Sequence, residues 1–169
     1  MALRTAEKSD ASSIAAISIE VWIGTYLKHG VSGIFADFAL SEFTTSKVLE
    51  QIQNPDEFIL VSDNNQGIDG FIRVSPARIA PVSGWWGMEI STFYVQPRHH
   101  GKGIGRRLLA AALEHCRDQG ADVVWLMTNA ENTSAIKFYL AKGFEFIGET
   151  HFQIDDQKYL NNVYALHFS

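Results

Sequence analysis

A glycine-rich loop is the first segment of this sequence with an evident chemical use. The stretch QPRHHGKGIG, residues 96–105, places glycine at alternate positions, Gly101, Gly103 and Gly105, between an apolar strand and a helix. Such a loop presents backbone N–H groups and the positive end of the helix to an anion. A tight turn without a ligand would also explain the glycines. However, Arg106 and Arg107 in the first helical turn oppose the helix dipole unless an anion binds nearby. We therefore expect a phosphate group here.

Two common phosphate-binding motifs do not fit the spacing of this loop. The dinucleotide fingerprint G-x-G-x-x-G, counted from Gly101 or from Gly103, requires a third glycine where Arg106 or Leu108 stands. A Walker loop requires a glycine five positions before the pair Gly101-Lys102, and position 96 is glutamine. The loop therefore indicates some other phosphate-bearing ligand.

An acidic residue in an otherwise uncharged strand is the second chemical candidate. Glu89 lies in MEISTFYV, residues 88–95, and alternation places it on one face with Ser91, Phe93 and Val95. A charge facing solvent at a strand start would explain it without chemistry. The functional interpretation is a general base, because an alkylammonium must lose a proton before its nitrogen can attack.

The elements that position these residues follow from periodicity and turn signals. The pattern predicts a first strand up to Thr5, a helix capped by Ser9 or Asp10, and one or two irregular helices over residues 27–53. Strands are expected at 57–62, 70–75 and 88–95, with a loop around Pro76, Pro81 and Trp85-Trp86. The second half of the chain is expected to begin with an amphipathic helix that ends at Gly120 and a buried strand at 123–127. A helix from Asn132 or Thr133 to Gly143 and strands at 144–152 and 162–168 are expected after them. Hairpins and strand–helix–strand units together predict an α/β fold with a mixed sheet.

Composition limits the classes of function. The 169 residues, 46% hydrophobic and 20% charged, predict one globular domain over residues 1–169. A net charge of -5 argues against nucleic acid as a partner, and the lack of a long apolar stretch argues against a membrane. The single cysteine, Cys116, is expected in the core of a cytoplasmic protein. The histidines have no metal-ligand spacing, so no metal is expected.

Two blocks resemble the GNAT N-acetyltransferase superfamily. EISTFYVQPRHHGKGIGRRLL is similar to its acetyl-CoA signature Q/R-x-x-G-x-G/A, with His100 at the position usually held by Gln or Arg. NAENTSAIKFYLAKGFEFIG is similar to its N-x-x-A-x-x-F-Y-x-x-x-G-F block. The resemblance covers residues 88–148 most specifically and looks loosely closest to the spermine/spermidine acetyltransferase-like bacterial branch. It implies a single-domain GNAT-like fold: a mixed, mostly antiparallel central sheet flanked by helices, with a parallel pair splayed around acetyl-CoA.

The resemblance also implies which residues bind acetyl-CoA as the cosubstrate. The pyrophosphate would bind the backbone N–H groups of the glycine loop, and the pantetheine arm would pair with a strand edge. The binding residues expected in this way are Phe93, Tyr94, Val95, His100, Gly101, Lys102, Gly103, Ile104, Gly105, Arg106, Asn132, Ser134 and Tyr139.

Acid–base roles are implied for two residues. Glu89 occupies the position of the base in the histone-acetylating branch, and Tyr139 that of the proton donor to the departing thiolate. Packing alone would also explain a tyrosine in an amphipathic helix. Direct transfer in a ternary complex is expected, without an acyl-cysteine.

The acceptor site is expected to combine aromatic rings with carboxylates. Trp22 and Tyr26, with Phe35 and Phe38, would pack an aliphatic chain, and Asp155 and Asp156 in the loop QIDDQKYLNN would attract a remote charge. A solvated turn explains the two aspartates equally well. We expect a small-molecule amine, polyamine-like, as the substrate, and a homodimer as the assembly. A peptide or protein acetyltransferase and a non-catalytic acyl-CoA sensor are the alternatives.

Overall fold

A computed structural model describes residues 2–169 and alternates helices with strands along the chain. The helices are α1 (Ala11–Tyr26), α2 (Gly33–Glu42), α3 (Thr45–Gln53), α4 (Ile104–Asp118) and α5 (Thr133–Ala141). The strands are β1 (Ala2–Thr5), β2 (Phe58–Asn64), β3 (Gly67–Ile79), β4 (Trp86–Val95), β5 (Val123–Asn129), β6 (Glu145–Ile154) and β7 (Gln157–His167).

The strands form one seven-stranded mixed sheet in the order β1-β2-β3-β4-β5-β7-β6. The pair β4/β5 is parallel, with Met88 opposite Val124 and Glu89 opposite Trp125, whereas β1/β2, β2/β3, β5/β7 and β6/β7 are antiparallel. The predicted α/β fold with a mostly antiparallel sheet, a parallel pair and flanking helices is confirmed.

The chain folds as two compact units. The first unit contains the described residues up to Val74 together with Thr92–Ala112, and the second contains Ser75–Ser91 and Leu113–Ser169. Both β3 and β4 contribute residues to each unit. A single domain over the whole chain stays a prediction.

The first unit has a core made by α1, α3, β2 and β3. Ile14 and Ile17 from α1 and Val48 from α3 pack with Val61 and Phe71 from the two strands. Buried positions on α1 recur at helical spacing, as the sequence predicted. No helix among residues 2–169 is both long and apolar enough to cross a membrane.

The second unit has its own core around β5 and β7. Val123, Trp125, Val163 and Ala165 pack there, with the loop residue Ala80. Gly148 in β6 is a close-contact point, because a Cβ atom there would lie 2.7 Å from a methyl carbon of Val82. Strand β6 is therefore tied to the loop between β3 and β4.

Two segments differ from the sequence-based prediction. Residues 27–53 form two regular helices, each started by a side-chain N-cap, Ser32 or Thr44. Strand β3 continues through Pro76 to Ile79, so the expected loop there is much shorter. The pairing of β3 with β2 ends at Phe58 opposite Val74, so β2 needs no N–H donor from Pro76.

The N-terminal strand is joined to α1 and β2 by an arginine. Arg4 donates from Nη1 to Asp10 at 2.8 Å, from Nη2 to the same carboxylate at 3.0 Å, and from Nε to Asp63 at 3.0 Å. The Arg4 guanidinium holds the pKa of the buried Asp10 carboxyl below its usual value. Asp10 precedes α1 as predicted, but it makes no side-chain cap to that helix and accepts from the Glu7 N–H instead.

Candidate active site

The glycine loop joins β4 to α4 within the first unit. A short 3₁₀ turn, Pro97–His99, is followed by Gly101 and Gly103 with φ of 81° and 82°, and α4 begins at Ile104. This left-handed conformation explains why glycine stands at these two positions. Gly105 is already helical. The predicted arrangement of strand, glycine loop and helix is confirmed.

The loop has the features that an anion requires. A Cβ atom added at Gly101 would meet nothing within 4 Å, so a ligand has room to approach the backbone there. Beside Gly103, the nearest atom to such a Cβ is Nη2 of Arg106, at 3.5 Å. The N–H groups of Ile104, Gly105 and Arg106, the first three residues of α4, have no carbonyl partner inside their own helix. The loop therefore fits a pyrophosphate, with Arg106 adding positive charge.

Two side chains of the loop, His100 and Lys102, make polar contacts with neighbouring residues of the first unit. The ring Nε2 of His100 lies 3.0 Å from the Val95 carbonyl oxygen, and Lys102 Nζ lies 3.1 Å from His99 Nδ1. His100 thus links the end of β4 to the loop that follows it. The Val95 carbonyl, which we expected to face the pantetheine arm, has this ring as a neighbour.

The strand edge proposed for pantetheine is half-buried. Phe93, Tyr94 and Val95 all have intermediate exposure, and the Tyr94 ring packs edge-on against Phe71 at 5.9 Å. Burial raises the pKa of Tyr94, and the nearby Tyr26 raises it further.

A polar cavity of about 670 Å³ borders the loop in the first unit. Arg98 and Lys102 contribute positive charge to its lining, and Glu20 and Asp69 contribute negative charge. Because these four charges cancel, the lining does not select an anion by charge alone.

Glu89 lies in the second unit, on the part of β4 that pairs with β5. The residue is 9% exposed, and its Oε1 is 3.3 Å from Nη1 of Arg78 on β3. The charge is therefore buried and paired, unlike a carboxylate that simply faces solvent. An ion pair with arginine favours the ionised form, which is the form that accepts a proton.

A buried tryptophan braces the strands that carry this ion pair. The Trp125 indole N–H lies 3.0 Å from the Gly87 carbonyl oxygen and 3.3 Å from that of Arg78. A side chain at Gly87 would collide with the backbone carbonyl of Val123 on β5. Glycine at position 87 thus allows β4 and β5 to pair closely beside Glu89.

Tyr139 is 8% exposed in α5, also within the second unit. Its ring packs edge-on against Phe144 at 5.8 Å, and the Tyr164 ring centroid lies 6.4 Å away. Asn132 caps α5 by accepting from the Ala135 N–H at 3.3 Å, and the exposed Ser134 donates to the same Asn132 oxygen. The predicted start of this helix at Asn132 or Thr133 is confirmed, and the contact of Asn132 with a cofactor stays a prediction.

The structure brings the predicted aromatic residues together in the first unit. The centroids of Tyr26, Phe35, Phe38 and Phe43 lie 5.0–6.2 Å from that of Trp22. Trp22 is buried at the centre, whereas the surrounding rings are half-buried. The accessible surface of this aromatic cluster is therefore provided by Tyr26 and the phenylalanines.

Asp155 and Asp156 do not lie in a long loop. They form the exposed two-residue turn of the β6/β7 hairpin, with Ile154 paired to Gln157. Asp155 has a φ of 56°, a left-handed conformation that aspartate tolerates better than most residues. The prediction that QIDDQKYLNN forms a loop is wrong, because β7 begins at Gln157.

The remaining titratable candidates have structural roles or no ligand geometry. Cys116 is fully buried in α4, and burial raises the pKa of its thiol to about 11, which disfavours the nucleophilic thiolate. Within residues 2–169 there is no group of three or more His, Cys, Asp or Glu side chains arranged to hold a metal.

The family model for the acetyltransferase (GNAT) family matches residues 29–146. The match contains the glycine loop, Glu89 and Tyr139. The chain belongs to this family, and it is an acetyltransferase that uses acetyl-CoA.

Individual relatives agree with the family at different levels. Streptothricin acetyltransferase from Streptomyces lavendulae is 31% identical over 156 residues, which cover 86% of this chain and 82% of that protein. The crystal structure of PaiA N-acetyltransferase from Thermoplasma acidophilum in complex with coenzyme A superposes with a TM-score of 0.76 at 20% identity, covering 99% and 100% of the two chains. Ribosomal-protein-alanine N-acetyltransferase from Brucella melitensis gives 0.74 at 21% identity, with the same coverage. At these identities the two structures show the fold alone.

Arg78 and Trp125 are the neighbours of Glu89 that sequence reasoning missed. The prolines at 76 and 81 predicted a loop where β3 continues. The sequence-based prediction therefore did not place Arg78 on a strand beside Glu89. The signal was the basic Arg78 just before MEISTFYV, which extension of the hairpin past Pro76 would have placed on the strand next to Glu89.

Proposed function

We propose that this acetyltransferase acts on a primary amine of a cationic small molecule, with polyamines favoured, by direct attack in a ternary complex. The observation that carries the proposal is Glu89, a carboxylate that is 9% exposed and paired with an arginine at the sequence position of a family base. An ionised, buried carboxylate suits proton removal from an ammonium group.

The proton transfers can be assigned to two side chains. Acetyl-CoA supplies the acetyl group as a thioester. Glu89 accepts the proton that the acceptor nitrogen loses as it bonds to the acetyl carbon, either directly or through water. Tyr139 donates its hydroxyl proton to the sulfur as the carbon–sulfur bond breaks, and so favours departure of the thiol. The backbone of Gly101–Arg106 would hold the pyrophosphate.

The aromatic cluster supports a cationic acceptor. Half-buried rings such as those of Tyr26 and Phe38 offer apolar surface for methylene groups and attract ammonium groups through their faces. The net charge of -5 favours the approach of cations in general. Streptothricin is a second candidate acceptor, because the relative that is named for acetylating it is 31% identical over most of this chain.

The proposal is tested by an amine panel and one double variant. Thiol release from acetyl-CoA is measured with a polyamine, an aliphatic monoamine, streptothricin and a peptide with a free N-terminus. We expect the highest kcat/KM for the polyamine. Replacing both Asp155 and Asp156 by Asn should raise KM for the polyamine about two- to threefold and spare the monoamine, because exposed charges interact weakly.

The double variant is compared with a control substitution at another exposed aspartate. Asn tolerates a left-handed conformation as Asp does, so the double variant should keep the turn at Asp155. Asp56→Asn, an exposed change in the other unit, should leave both KM values unchanged. Equal effects of the double variant on both amines, or acetylation of the peptide alone, would remove the polyamine proposal.

A further inference from the structure

Arg78 forms an ion pair with the proposed base, Glu89, and its surroundings are unusual for a surface arginine. It lies near the end of β3, where residues 76–79 are all exposed, yet its guanidinium reaches the buried Glu89 carboxylate at 3.3 Å. The Arg78 side chain is 46% exposed and that of Glu89 is 11% exposed. A solvated cation is thus held against a buried anion.

The backbone that carries Arg78 is fixed in place. The Trp125 indole N–H lies within bonding distance of the Arg78 carbonyl oxygen, at 3.3 Å, and of the Gly87 carbonyl oxygen, at 3.0 Å. Trp125 is 3% exposed and is also the register partner of Glu89. One rigid ring therefore locates both the strand that bears the arginine and the strand that bears the glutamate.

We propose that Arg78 is a positioning residue that keeps Glu89 ionised and opposes the close approach of a second cation, thereby setting the KM for cationic acceptors. This inference rests on the proposed function, in which Glu89 receives the proton of an ammonium group. Arg78 contacts the base and acts on the reaction through it.

Two consequences follow from the charge of Arg78. The positive charge stabilises the carboxylate, so its removal moves the titration of Glu89 to higher pH. The same charge repels an incoming ammonium, so its removal strengthens acceptor binding. A purely structural role would predict weaker binding and an unchanged titration.

The experiment compares Arg78→Gln with Arg78→Lys, and Arg117→Gln is the matched control. Arg117 lies in the same unit on α4, where its guanidinium stacks on Phe168. The Glu89 carboxyl is followed by ¹³C NMR in protein labelled at glutamate, with Glu89→Gln assigning the signal. The parameters kcat and KM for a polyamine are measured across the same pH range.

We expect Arg78→Gln to raise the titration midpoint of Glu89 by about half a pH unit, a modest shift because the guanidinium is partly solvated. KM for the polyamine should fall about twofold. On the acid side of the pH profile, kcat/KM should begin to rise at a higher pH, in step with the Glu89 midpoint. Arg78→Lys should restore both values, and Arg117→Gln should change neither. In the unmodified enzyme, higher salt should raise the midpoint by screening the pair, a measurement that needs no substitution.

An unchanged midpoint in folded Arg78→Gln, or an unchanged midpoint at high salt, overturns the role assigned to Arg78. A shifted midpoint with a raised KM overturns the effect on acceptor binding. Full activity of Glu89→Gln would instead overturn the proposed base, while the NMR titration would still report whether Arg78 controls the charge of Glu89.

Discussion

A side chain that removes a proton from an ammonium group must be ionised before the substrate arrives. Glu89, the proposed base, lies in a buried ion pair with Arg78, and a nearby positive charge favours an ionised carboxylate. Burial favours the neutral acid, and the positive charge of the arginine opposes this effect. At the scale of single residues, the assignment of Glu89 therefore depends on its partner as much as on its own position.

Glu89→Gln should lower kcat/KM at neutral pH by about 10²-fold or more, because the amide cannot accept a proton. The loss should shrink as the pH approaches the pKa of the free amine, since the acceptor then deprotonates without help. The pH profile of thiol release measures both effects. Glu114→Gln, an exposed carboxylate of the same unit, is the control and should retain normal rates. Full activity of Glu89→Gln at pH 7 would mean that the base lies elsewhere or is solvent.

Tyr139→Phe should slow turnover by up to about tenfold, while the affinity for CoA stays nearly unchanged. A thiolate has a moderate pKa and can leave without a proton donor, so the hydroxyl assists departure without being indispensable. Turnover is followed by thiol release and CoA affinity by calorimetry. The buried Tyr164 provides a control through Tyr164→Phe, which removes a hydroxyl from the same aromatic group. Comparable losses in both variants would indicate a packing role for Tyr139.

At the scale of elements, the glycine loop depends on backbone geometry that side chains would obstruct. Gly101 and Gly103 both have φ near 80°, and open space adjoins Gly101. Glycines account for the left-handed turns, and α4 provides the N–H groups and the positive end.

Gly103→Glu should abolish the rise in melting temperature that acetyl-CoA produces by binding to the folded state. The substitution introduces a negative charge and a side chain where the backbone must approach the pyrophosphate. Thermal denaturation with and without acetyl-CoA measures the effect. Gly103→Ala separates the backbone strain, about 1–2 kcal/mol, from the effect of charge. The exposed Gly24, which has no neighbour within 4 Å of an added Cβ, gives Gly24→Glu as a charge control. An unchanged acetyl-CoA shift in folded Gly103→Glu would refute the phosphate-loop assignment.

Elements with strong local signals were predictable from sequence. The stripe Ile104, Leu108, Leu109, Ala112, Leu113 and Cys116 is buried along α4, and Gly120 follows its end with a φ of 79°. Helix α2 was less visible, because its apolar residues are not confined to one stripe, whereas Val48, Leu49 and Ile52 of α3 lie on one face of a short helix. The side-chain caps Ser32 and Thr44 mark where these helices begin.

Errors arose where tertiary pairing outweighs a local turn signal. A proline such as Pro76 normally argues against a strand. However, the pairing of β3 with β2 ends at Val74, before Pro76 is reached. The pair Asp155-Asp156 predicted a loop, yet two residues suffice to reverse a well-paired hairpin. The first error concealed Arg78 and the second misplaced the start of β7. Residue identity at the glycine loop and Glu89 was informative, whereas the partner of Glu89 required a register that one sequence does not reveal.

At the scale of the whole molecule, the free energy of unfolding should fall in acid partly because of Asp10. Its pKa is lowered in the folded state, so its contribution is present above the ordinary aspartate value of 3.8 and is lost as pH falls through the folded value. Asp10→Asn should remove about 1 kcal/mol at pH 7, since Arg4 is partly exposed and solvent screens the pair. Urea denaturation at pH 7 and at pH 3 measures the difference, which should narrow in acid.

Asp56→Asn is the control for this comparison, because Asp56 is an exposed residue of the same unit. It should leave the urea midpoint unchanged at both pH values. An Asp10→Asn protein that loses as much stability at pH 3 as at pH 7 would show that the contribution of Asp10 is not electrostatic.

The placement of Trp125 makes the enzyme its own optical probe. The indole is 3% exposed and lies opposite Glu89 in the β4/β5 register, whereas Trp86 is 62% exposed. An apolar environment shifts indole emission to the blue, and a water-soluble quencher such as iodide reaches only exposed rings. With iodide suppressing Trp86, and with Trp22 and the half-buried Trp85 replaced by Phe, the remaining emission comes from Trp125 beside Glu89. Ligand binding beside Glu89 can then be timed by stopped-flow fluorescence without any label.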